Sequence, residues 1–399
     1  MKNNKLVLGT LILAMGAFSS CKKDEVADPI IPSAPSGNVV VTSNISSNTT
    51  WTSDKVYQLG GRITVLDGAT LTIEAGTIIK GEAGTGANAT ALLVARGGKL
   101  NAIGEANKPI IFTSVADEIS LADVAAGNFK SPNLNPDVNG LWGGVIILGK
   151  AKISASNDNG DVSEVQIEGI PTSDSNGLYG GNNDADDSGT LKYVSIRHGG
   201  TNIGSGNEIN GLTLGGVGSG TTIDNIEIVG NQDDGIEWFG GKVNVTNVVV
   251  WNCNDDGIDT DQSWGGTIDN LVVIAVAGHS FELDGPEGTY AAGHVIKNGS
   301  IKASYEGRVS EDLINVDENS IVDLQNLYFT DIVDGNKINR VTAPLVTFTG
   351  ITLNVPADSL GNYVNGDVPA GVTAGSTPKA NISGLGWTWA SQAGALSGL

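Results

Sequence analysis

Three consecutive stretches of the chain share one skeleton. Residues 222–241 read TIDNIEIVGNQDDGIEWFGG, residues 242–266 read KVNVTNVVVWNCNDDGIDTDQSWGG, and residues 267–288 read TIDNLVVIAVAGHSFELDGPEG. Each has an alternating apolar run, a Gly/Asn/Asp corner, a second short run and a glycine-rich close. Asn225, Asn247 and Asn270 head corresponding runs. Nine residues further on stand Asp234, Asp256 and His279, and twelve further on Glu237, Asp259 and Glu282. A period of 22–23 residues built from strand-sized pieces is the mark of a β-solenoid, in which each coil lies on the one before. Equal positions then stack about 4.8 Å apart, so the period alone predicts a vertical row of acids.

Composition narrows the partners. With 44 acidic and 22 basic residues the chain carries a formal charge of −22. Nucleic acid is excluded as a partner, because neutralising phosphates needs a surplus of Lys and Arg. Cations and cationic groups are favoured. The 56 glycines suit a fold made of tight corners, and a repeat array can use all 399 residues as a single monomeric body.

The N-terminus reads as a targeting segment. Lys2 and Lys5 precede an apolar run from Leu6 to Phe18 that is too short to span a bilayer. Phe18-Ser19-Ser20-Cys21 resembles a bacterial lipobox, with Phe18 in place of the usual Leu, and Cys21 as the lipidated residue. Lys22-Lys23-Asp24-Glu25 resembles the acidic export tag of surface lipoproteins of the Bacteroidetes; a charged, solvated linker is the alternative. The resemblance implies a protein held on the outer membrane by acyl chains and exposed at the cell surface. Once Cys21 is lipidated only Cys253 remains, so no intrachain disulfide is expected.

Prolines 29, 32 and 35 with Gly37 mark a tether, giving the expected division: signal peptide 1–20, lipidated linker 21–37, solenoid 38–335, C-terminal cap 336–399. Residues 62–81 (RITVLDGATLTIEAGTIIKG) and 92–114 (LLVARGGKLNAIGEANKPIIFTS) repeat one order of strands and turns. These phrases resemble the opening coils of right-handed parallel β-helix proteins of the pectate-lyase-like superfamily. The expected fold is therefore all-β, a single parallel β-helix. Residues 115–140 and 171–189 break the period and read as inserted loops. The asparagines at 225, 247, 270, 298 and 326 read as a hydrogen-bonded corner ladder that tolerates left-handed backbone. Trp387 and Trp389 are expected to cover the last open coil.

Three places could carry chemistry. Asp184, Asp186 and Ser188 match the start of a DxDxSG calcium loop, although its twelfth position is Ser195 rather than the closing Glu. The row Glu237, Asp259 and Glu282, flanked by Asp233, Asp234, Asp255 and Asp256, crowds negative charge that either raises pKa values or recruits Ca2+. Carboxylates that merely cap corner N–H groups are the competing reading. Finally, Asp234, Asp256 and His279 are similar to the stacked Asp, Asp-Asp and Gly-His-Gly motifs of polygalacturonase-type glycosidases. That resemblance implies a general acid and base across a sugar, with His279 tuning them. Ser280 replaces the second Gly of that motif, and Lys302 falls on the column of Val229 and Trp251 rather than beside the acids. Trp251, outward by alternation, and Trp238 are candidate sugar platforms, with partly buried corner aromatics as the alternative. The combined expectation is a surface-displayed binding or adhesion scaffold for glycans or other extracellular polymers, with a polysaccharide-degrading enzyme on the acidic face as the alternative.

Overall fold

Alternating Val, Ile and Leu runs closed by Gly and Asn corners build parallel strands whose inward side chains fill one continuous core. The computed structural model describes residues 37–201 and 209–399. The signal peptide, Cys21, the export tag and nearly all of the linker lie outside the described residues. Among the described residues, no helix is long and apolar enough to cross a membrane.

Two large sheets carry the architecture, one of sixteen strands and one of eight, and their neighbouring strands pair in parallel from coil to coil. In the larger sheet Gly189–Arg197, Thr222–Val229, Val245–Trp251, Thr267–Ile274, His294–Lys302 and Val322–Thr330 follow one another. In the smaller, Leu212–Gly215, Ile236–Phe239, Ile258–Asp261 and Phe281–Leu283 do the same. This is the parallel β-helix expected from the period.

Each long strand bends at its asparagine. Asn225, Asn247, Asn270, Asn298 and Asn326 all have φ between 53° and 68°, the left-handed region that Asn tolerates. Asn270 Nδ2 donates to Asn247 Oδ1 and Asn326 Nδ2 to Asn298 Oδ1, both at 2.7 Å. Asn247 and Asn298 donate instead to Asp224 and Asp269.

Three expectations need correction. Pairing does not fade at 335: Val346–Thr349, Ile351–Leu353 and Val372–Ala374 continue the large sheet. The second break in the coil begins directly after Val145–Leu148, so the whole of 149–188 separates that strand from Gly189–Arg197. Its Ile153, Ile167, Ile170 and Tyr179 pack on Phe239, covering part of the outer face of the small sheet.

The third correction concerns residues 379–399, which do not cover the end of the solenoid. They form a strap along the outside of the large sheet. Lys379 and Ala380 donate their N–H groups to Ser300 Oγ, Asn381 to Asn270 Oδ1, and Ala390 to Glu227 Oε1. Gln392 reaches Phe129 N and Gly127 O, after which the chain turns back and Ala395 O accepts from Lys302 Nζ. Trp387 packs with Ile78, Ile111 and Phe129, and Trp389 with Val229, Val249 and Trp251. Indoles bury large apolar areas, so these two hold the strap to the wall.

Candidate functional site

The acidic row is real and in register. Glu237 pairs with Asp259 and Asp259 with Glu282, while their neighbours Ile236, Ile258 and Phe281 point into the core. One rung before the row stands Thr213 and one after it Asn315, so the acids occupy three successive coils.

A second column runs along the corner that precedes these strands. Asp234 N donates to Asn210 Oδ1, Asp256 N to Asp234 Oδ1, and His279 N to Asp256 Oδ1. Each side chain thus caps the backbone of the next coil, satisfying an N–H that the corner would leave bare. Asp234 and Asp256 are buried, with 6% and 3% of their surface exposed. The tight approach explains Gly278: a Cβ there would fall 2.3 Å from Asp256 Oδ1.

Row and column together form one acidic centre. Ligand atoms of Asp234, Glu237 and Asp259 lie within 4.8 Å of one another, as do those of Asp256, His279 and Glu282, and those of Asp233, Asp234 and Asp255. Asn210 Nδ2 donates to Glu237, and Asn315 Nδ2 lies 2.9 Å from His279 Nε2. Asp259 Oδ1 and His279 Nδ1 are enclosed without a partner among the described residues. Burial, and next the charge of Asp233, pushes the Asp234 carboxyl well above the usual carboxylate range. Burial raises Glu237 with help from Asp234, and Asp259 with help from Glu237. Burial and the hydrogen-bonded Glu282 raise Asp256. At the rim, burial and their acidic neighbours lift Asp261 and Asp284 to about 7. Like charges confined this closely must take up protons or a cation.

The inserted segment brings Glu168 near Glu237 and Asp261 but sends Asp184 and Asp186 elsewhere. Asp184 Oδ1 accepts from Lys152 N and Asp186 Oδ2 from Lys150 N, while Ser188 Oγ is buried without a partner. The three-ligand groups among the described residues contain neither Asp184 nor Asp186. Here the DxDxSG phrase caps the strand-to-loop turn at 150–152.

Neither tryptophan platform survives. Trp238 is fully buried in the core, its ring stacked at 4.8 Å on Trp264. Trp251 does face outward, as alternation predicts, but the strap covers it and leaves 1% exposed. Outward in a solenoid wall is not the same as exposed when a later segment folds back over it.

Sequence reasoning also missed a constellation under that strap. Arg197 and His198 are buried beside Glu227 and Trp389. A signal was present: Arg197 falls in register with Val229, Trp251, Ile274 and Lys302, so the two cations share one column.

The model of a pectate-lyase-like β-helix domain matches residues 43–349, well over half of the chain. No curated protein and no solved structure matches it. With its parallel coils and that span of agreement, the chain belongs to the pectate-lyase-like β-helix family.

Proposed function

We propose that the protein is a lipid-anchored, surface-displayed lipoprotein whose β-helix is a non-catalytic binding scaffold for glycans or other extracellular polymers. A divalent cation such as Ca2+ held among Asp234, Glu237 and Asp259 stabilises it. One observation carries the choice of scaffold over enzyme. The carboxylates of Asp234 and Asp256 each take the backbone N–H of the next coil and are almost wholly buried. A general acid or base must reach the proton it moves, and these two groups face their own backbone. The cation follows from the surplus of hard oxygen ligands in the centre, including the unpartnered Asp259 Oδ1.

Glycoside hydrolysis keeps one point in its favour, the partnerless His279 Nδ1 beside Asp256 and Glu282. A panel of plant and host polysaccharides, read for both retention and release of reducing ends, separates the two readings. Retention without release is expected. Release that Asp256→Asn abolishes while binding persists would establish the enzyme instead. Anchoring has its own test: Cys21→Ala should free the protein from membranes, and a variant that stays bound removes the lipid from the proposal.

A further inference from the structure

The strap covers a strip of wall whose polar groups are left without partners. Arg197 and Trp251 are 1% exposed and His198 is fully buried. Yet among the described residues Arg197 Nη1 and Nη2, Trp251 Nε1 and His198 Nε2 find no hydrogen-bond partner, Nη2 having only the ion-pair contact with Glu227. Buried groups of this kind nearly always find partners, so four such atoms on one strip ask for an explanation. His198 Nδ1 lies 2.5 Å from Val138 O and donates to it, which leaves Nε2 as an acceptor. The strip therefore offers three unused donor nitrogens and one unused acceptor.

It also opens to solvent at one end. A cleft of about 630 Å³ is lined by Lys302, Tyr305, Tyr328 and Asp331 on the wall and by Ser397 and Gly398 of the strap. An adjoining cleft of about 640 Å³ shares Tyr305 with it. Lys302, in the cleft, and Arg197, under the strap, stand in the same register column with Trp251 between them. Lifting the strap would extend the cleft along that column. The strap is built to lift: it adds no strand to the sheet and is held by indoles and by bonds to side chains such as Ser300, Asn270, Glu227 and Lys302.

We infer that this cleft and the strip under the strap form a binding site for a neutral sugar chain, with residues 379–399 as its removable cover. The inference rests on the binding-scaffold reading and places the ligand away from the acidic centre. Hydroxyl groups both donate and accept, as the unused atoms require, and sugar faces stack on rings such as Tyr305, Tyr328 and Trp251. Charge argues for neutrality. Arg197 lies 3.5 Å from Glu227, and Lys302 has Asp331 beside it, so the strip is balanced within a chain of −22.

The test locks the cover. Ser300→Cys with Ala380→Cys should cross-link the strap to the wall in the full chain, since Ala380 N lies 2.9 Å from Ser300 Oγ. Laminarin and dextran serve as neutral probes and polygalacturonate as the charged comparison, read by calorimetry. Wild type should bind a neutral glucan, the locked form should lose about tenfold or more, and reductant should restore it. Tyr305→Ala should cost about tenfold, and the binding should be insensitive to salt. Trp389→Ala, which loosens the cover in the full chain, should bind more tightly than wild type. Equal binding by the locked and reduced forms, or retention of polygalacturonate alone, overturns this site while leaving the scaffold reading in place. If wild type and Trp389→Ala retain no probe of either kind, the scaffold reading falls with it.

Discussion

Two corners of the same coils show what one repeat can do with two kinds of polar side chain. At the asparagine corner an amide both donates and accepts, so Asn270 bonds Asn247 and Asn326 bonds Asn298. At the aspartate corner the side chains only accept. Asp234 and Asp256 each take one N–H from the next coil, and their remaining charge stacks on that of their neighbours. The first corner is satisfied by its own amides together with Asp224 and Asp269; the second accumulates negative charge that protons or a cation must offset. Equal spacing thus produces a stabilising seam in one place and a site of stored repulsion in the other.

The largest effect expected from this contrast is a pH dependence confined to the aspartate side. The carboxyls of Asp261 and Asp284 rise from 3.8 to about 7 in the folded state, and Asp234, Glu237, Asp256 and Asp259 also rise. A raised folded pKa gives stability that is complete below the unfolded value and lost as pH climbs to the folded one. Without divalent cations, unfolding free energy should therefore fall between pH 4 and 7 by at least about 4 kcal/mol, the worth of a single carboxyl shifted by about three units. Urea titrations across that range measure it, and a flat profile would mean the acids are solvated. Asp261→Asn with Asp284→Asn should flatten the slope.

The asparagine corner should fail differently. Asn247→Val puts a β-branched residue at φ 57° and removes both the bond to Asp224 and the one from Asn270. A loss of about 3 kcal/mol follows from left-handed strain and two hydrogen bonds, and it should not vary with pH above about 5, where the carboxyl of Asp224 is ionised. Asn247→Gly relieves the strain and should recover roughly half of that loss. Equal losses for the two variants would show that strain is not the larger part.

Smallest of the three is the cation effect at neutral pH. Calcium a hundredfold above its Kd should add about 2.7 kcal/mol to unfolding, a gain absent in the Glu237→Gln, Asp259→Asn variant. If Asp184→Ala with Asp186→Ala abolishes the gain instead, the ion sits in the inserted segment and the comparison between corners loses its cation.

What repeats was legible, and what happens once was not. The period placed Glu237 on Asp259 and Asp259 on Glu282, and put the asparagines on one left-handed corner. It carried no information about residues 149–188, which cover Phe239 once and have no counterpart in other coils. The strap was equally invisible, because its bonds join residues such as Phe129 and Gln392, 263 positions apart. Trp251 suffered most from this. Alternation gave its direction correctly, while its burial depended on a segment that begins more than a hundred residues later.

A stack of coils touching only their neighbours would unravel from either end, one rung at a time. The strap changes that, because it ties Ser300, Asn270, Glu227 and Phe129 into one closed circuit. Rungs between 127 and 300 cannot peel away singly while it holds. The protein should then resist fraying as a unit, and a single cut in the short link 375–378, between the last strand and the strap, would turn one cooperative unfolding step into several.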